Sequence, residues 1–149
     1  MASQLIHITL PDGTRKQVPT GCTVRDALTP QGGRLDGKIL AAKIDGVPMD
    51  LFHTLEHDAT VEPLTFESAE GREVYRHSST HIMAQAVKEV FPTAQLTIGP
   101  ALEDGFYYDF AFSRPFTPED LAAIEKRMGE LAKRDIPVTR EVWARDDDV

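Results

Sequence analysis

The chain opens on an apolar, β-branched run. Leu5, Ile6, Ile8 and Leu10 enclose His7 and Thr9, Pro11-Asp12-Gly13 supplies turn chemistry, and a second run extends from Thr14 to Val18. Two such runs around a turn predict a β-hairpin. Thr23 then stands where a helix N-cap would, with Asp26 three residues on and Val24, Ala27 and Leu28 on one side. A short helix is predicted there, and it must stop before Pro30. After a loop over residues 29–38, "ILAAKIDG" and "VPMDLFHTL" are two apolar stretches parted at Asp45-Gly46, another hairpin signal, and "ATVEPLTF" would close the sheet. A hairpin, a helix and further short strands within residues 1–66 form the pattern of a small α+β roll of the ubiquitin-like, β-grasp type.

Residues 67–71, "ESAEG", are small and polar and mark a boundary. A helix is predicted from about Glu70 to Phe91, ended by Pro92. Leu96–Ile98 and Phe106–Phe112 read as two strands joined by a loop containing Asp104-Gly105, where Gly99 and Gly105 serve turns. Thr117 then caps a second long helix. Pro118 takes its first position, Glu119 and Asp120 suit its positive end, and Lys133 and Arg134 its negative end. The alternation of "IPVTREVW", residues 136–143, predicts a last strand.

On the first long helix, at 100° per residue, His77, His81 and Lys88 fall within about 40° of one another. Tyr75, Ile82, Met83, Ala86 and Val90 cluster on the opposite side as the expected core stripe, with Val74 and Val87 at its edges. Imidazoles at i and i+4 converge on one ion or one water, and imidazole titrates where hydrolysis near neutral pH needs it to. Spacing alone leaves open whether the pair is a ligand set, a catalytic pair or a solvated polar face. "HSSTH" lacks the glutamate that a zinc protease uses as base, so that chemistry is disfavoured.

A formal net charge of −8 argues against a generic nucleic-acid binder, which needs many basic contacts to phosphate. Specific RNA contacts remain compatible with it. Cys22 is the only cysteine, so no internal disulfide forms and no multi-cysteine zinc site can be built from this chain alone. No run approaches the roughly 18 to 20 apolar residues of a membrane span, and the first residues lack the pattern of a secretory signal. A cytoplasmic protein with no membrane role is expected.

"ITLPDGT", "RHSSTHIMAQAVKEVFP", "IGPALEDGFYYDF" and "EDLAAIEKRMGELAKRDIPV", in this order, resemble the N-terminal region of bacterial threonyl-tRNA synthetases. The resemblance covers essentially the whole chain. It implies a TGS domain over residues 1–66 and the first part of an editing domain over residues 67–149. His77 and His81 match the family's paired catalytic histidines of editing. Tyr107 and Tyr108 fall in a stretch where an aromatic contacts substrate, and strand alternation leaves that task to one of them.

The family's downstream "CxxxH" pattern is not reached, and Cys22 cannot stand in for it; that residue is expected to pack as a small apolar side chain. By the same resemblance the parent ligates threonine to its tRNA with ATP and hydrolyses mischarged seryl-tRNA, meeting the tRNA acceptor end here. Its ATP, magnesium and zinc would be bound outside this segment, and it would be a homodimer through other domains. No metal and no cofactor is expected within the segment, which taken alone should be inactive as an excised or truncated portion. Editing has a physical reason, since serine lacks only one methyl of threonine and such a difference gives about 1–3 kcal/mol of discrimination. The alternatives are a free-standing TGS-containing regulatory or RNA-binding module and a trans-editing hydrolase.

Overall fold

The computed structural model describes residues 4–97 and 99–144. Strands β1 (Leu5–Thr9) and β2 (Arg15–Pro19) pair antiparallel, with Ile6 opposite Val18, so the turn at Gly13 sets a register that sends both apolar side chains inward. Helix α1 (Val24–Leu28) begins where Thr23 accepts a hydrogen bond from the Asp26 amide, and Thr29 closes it one residue before Pro30. Strands β3 (Ala41–Ile44) and β4 (Val47–Met49) form the second hairpin. Its turn places Asp45 at φ 49° and Gly46 at φ 82°, the paired left-handed conformation that Asp-Gly tolerates. The Asp45 carboxylate accepts from the backbone amide and the hydroxyl of Thr60 in β5 (Ala59–Leu64), tying turn to strand.

The five strands lie in the order β2-β1-β5-β3-β4, with β1 and β5 parallel and the other neighbours antiparallel. Ile6, Ile8, Val18, Ala42, Ile44 and Val61 from the sheet meet Val24 and Ala27 of α1 in one core, against which the half-buried Cys22 packs. Burial raises the Cys22 thiol above its ordinary value, and the Asp26 charge adds to this.

Ser68 caps α2 (Ala69–Val90), accepting from the Gly71 amide at 3.0 Å. Two short ladders follow: β6 (Gln95–Leu96) pairs with β9 (Phe110–Ala111), and inside them β7 (Ala101–Leu102) pairs with β8 (Gly105–Phe106). Helix α3 (Pro118–Lys133) starts in a full capping box between Thr117 and Asp120. α2 and α3 close a second core of Ala86, Val87, Ala94, Ile124 and Leu131, flanked by Phe91, Phe110, Phe112 and Phe116. Arg127 of α3 bridges to Glu89 of α2 at 2.7 Å.

Three expectations are corrected. The predicted pair of strands is two nested ladders: Pro100, which has no amide to donate, interrupts one side, and residues 107–109 the other. Ile98 lies outside the described residues. Tyr75, expected in the core stripe, is 52% exposed and meets Phe66 edge-on at 5.3 Å. Residues 136–143 form no strand, and Val138 and Val142 are each 78% exposed; among the described residues no neighbouring strand supplies the ladder that such a segment needs.

Candidate functional site

α2 carries His77 and His81 four residues apart and therefore on one face, where both are exposed. Their Nε2 atoms stand 3.0 Å apart, and the ring centroids are 4.8 Å apart at 68°. A hydrogen bond at that distance holds one proton, so one Nε2 donates and the other accepts. The turn between them has its own anchoring. Thr80 is 3% exposed and its hydroxyl donates to the His77 carbonyl at 2.6 Å, while the Ser79 hydroxyl donates to the Tyr75 carbonyl at 2.8 Å. Lys88, on the same face, is engaged elsewhere: its ammonium donates to the Ala94 carbonyl and fixes the chain where it leaves the helix.

Among the described residues no group of three or more histidine, cysteine or acidic side chains converges on a point. The histidine pair therefore supplies two nitrogens, whereas structural zinc sites use four protein ligands and catalytic ones three.

The β7-β8 hairpin packs against α2, and Tyr107 and Tyr108 follow it. The two differ in surroundings. Tyr107 is 52% exposed. Tyr108 is half-buried and stacks on Phe110, with centroids 5.0 Å apart at 21°. A Cβ at Gly99 would overlap the Tyr108 ring and approach the Tyr107 carbonyl, so this glycine serves a close approach rather than the turn expected of it. Among the described residues no hydrogen bond or ring contact joins either tyrosine to the histidines.

Thr80 escaped the sequence reading because a polar residue beside a polar face gives no periodic signal. Gly71 escaped for another reason. In sequence it reads as part of a polar boundary, yet a Cβ on it would overlap the Thr65 backbone.

Residues 6–65 match the TGS domain model, in keeping with the β-grasp sheet. Beyond it, the whole chain is similar to the N-terminal region of threonine–tRNA ligases. The relative from Dechloromonas aromatica is 55% identical over 95% of this chain and 22% of its own length. Those from Symbiobacterium thermophilum and Ralstonia nicotianae are 51% and 52% identical over 97% of this chain, or 22% and 23% of their own lengths. The chain thus spans less than a quarter of these relatives.

Proposed function

We propose that this chain serves as the N-terminal part of a cytoplasmic threonine–tRNA ligase, with residues 1–66 as its TGS domain and residues 67–149 opening its editing domain. The observation that carries this reading is similarity at 55% identity across nearly all of the chain, through both units and in one order. The parent joins threonine to tRNA using ATP, with magnesium and zinc held outside this segment, and acts as a homodimer through other domains. It clears serine errors here. No helix among the described residues is long and apolar enough to cross a membrane.

The histidine pair supports a hydrolytic role by its exposure and its geometry. Water or a ribose hydroxyl entering between the two Nε2 atoms exchanges one imidazole–imidazole hydrogen bond for two new ones. One imidazole then accepts a proton as water attacks the ester between serine and the terminal ribose, and the other donates toward the leaving oxygen. Tyr107 is the tyrosine we assign to contact with the amino acid or terminal adenosine, a role its exposure supports, whereas Tyr108 is engaged with Phe110. Two histidines make an incomplete editing site, so the 149 residues alone should hydrolyse little.

The test begins with the native gene read past the codon for Val149, expecting an open frame that continues into a ligase core. Deacylation of seryl-tRNA bearing the threonine anticodon by the full-length product is then measured with and without His77→Ala. A frame that stops at once, or deacylation unchanged by the substitution, would overturn the reading.

A further inference from the structure

We infer that the TGS domain pins the N-terminal half of α2 and so positions His77, an inference that rests on the editing reading for its catalytic consequence. The apolar core of the second unit takes in this helix from Ile82 onward, through Ile82, Met83, Ala86 and Val87, and Thr80 is buried just before it. Between Gly71 and Thr80 no residue of the helix is buried. His77 sits in that uncovered span, next to two hydroxyls that bond back to helix carbonyls and favour a bend there. A helix end so weakly packed frays unless something outside it takes hold.

Contacts with the TGS domain and with the junction that follows it supply that hold. Gly71 lies so close under the Thr65 carbonyl that any Cβ would overlap it, so helix and strand end meet backbone to backbone. Ser68 caps the helix and also donates to the Thr65 carbonyl at 3.0 Å. Arg72 reaches back to the carbonyls of Phe66 and Glu67 at 3.2 and 2.9 Å. Lys43, in the strand next to β5, meets Glu70 in the first turn of α2 at 2.5 Å, and Tyr75 rests edge-on against Phe66.

The joint lies about 9 Å along the helix axis from His77. Displacements of about 1 Å at reacting groups can cost about 100-fold in rate, so an anchor at this range matters to the chemistry. Gly71 is thus a positioning residue.

Amide hydrogen exchange on the 149-residue chain tests the anchor directly. Two variants are compared with the native chain: Gly71→Ala, and Gly-Ser-Gly-Ser inserted between Phe66 and Glu67, which leaves both units' own sequences intact. The expected result is protection lowered at least tenfold at residues 73–79 and unchanged at 84–90. Unchanged protection at 73–79 in both variants would overturn the anchor.

In the full-length protein the same variants should lower kcat for seryl-tRNA deacylation at least fivefold, with KM and threonylation within twofold of native. Native kcat in both would overturn the positioning role while leaving the histidine reading intact. A native full-length protein that does not deacylate seryl-tRNA would overturn the editing reading and the catalytic consequence with it; the exchange experiment would still decide the anchor.

Discussion

The Nε2 atoms of His77 and His81 face each other at 3.0 Å on the open side of α2, while the Thr80 side chain between them is buried. General acid–base catalysis by one positioned group contributes roughly 10²–10⁴-fold. His77→Ala or His81→Ala in the full-length protein should therefore slow seryl-tRNA deacylation by on the order of 100-fold and leave threonylation unchanged. Both side chains are exposed, so thermal unfolding should shift little. Parallel deacylation and aminoacylation assays on each variant check this. Equal loss of both activities would point to damaged structure.

The two tyrosines should separate in a different way. Tyr107 is half-exposed and Tyr108 is stacked between Phe110 and the Gly99 backbone. Tyr107→Ala should raise KM for mischarged tRNA with little change in unfolding midpoint. Tyr108→Ala should lower stability by about 2–4 kcal/mol, because a half-buried aromatic leaves a void beside its neighbours. Urea unfolding of the chain and deacylation kinetics of the full-length protein distinguish the two. Equal behaviour would reject the division of roles.

Most of the first unit was legible because its signals are local. Pro11-Asp12-Gly13, Thr23 with Asp26, and Asp45-Gly46 each fix a turn or cap within four residues, and the structure uses all three. The α3 start was legible for the same reason. The helix face of His77 and His81 followed from its period, whereas Tyr75 was misplaced because period says nothing of which turns have a partner. The Phe106–Phe112 run concealed its break, since its apolar residues run on without a turn signal and the close approach of Tyr108 to Gly99 is not local in sequence. "IPVTREVW" alternates as a strand should, yet pairing depends on chain elsewhere.

The two cores share no buried member, so their losses should be separable. Ile8 is fully buried in the first core and Ile124 is 6% exposed in the second. Truncation of either to Ala should cost about 2–5 kcal/mol. Ile8→Ala should lower exchange protection chiefly in β1, β2 and β5, and Ile124→Ala chiefly in α3 and the C-terminal half of α2. Amide exchange resolved by residue checks this. Uniform loss across both units in each variant would mean that the chain unfolds as a single cooperative block.

Asp120 gives a pH dependence whose sign is fixed by its partners. Its carboxylate pairs with the Arg114 guanidinium and accepts from the Thr117 amide at 2.8 Å, and these hold it well below the ordinary carboxylate range. In the unfolded chain an aspartate titrates near about 3.9. A folded value below the unfolded one means that the group's stabilising effect is complete above about pH 4 and is lost as pH falls toward the folded value. The start of α3 should therefore keep its cap below the pH at which an aspartate in the unfolded chain is protonated. Carboxyl-carbon NMR should show Asp120 titrating below about 3.9, and Arg114→Gln should move its midpoint up toward that value. Thr117→Ala, which removes the other half of the box, should cost about 1 kcal/mol, read as a lower urea midpoint at neutral pH. An Asp120 midpoint at the ordinary value in the native chain would mean that the Arg114 pair does not form in solution and that Thr117 caps α3 without it.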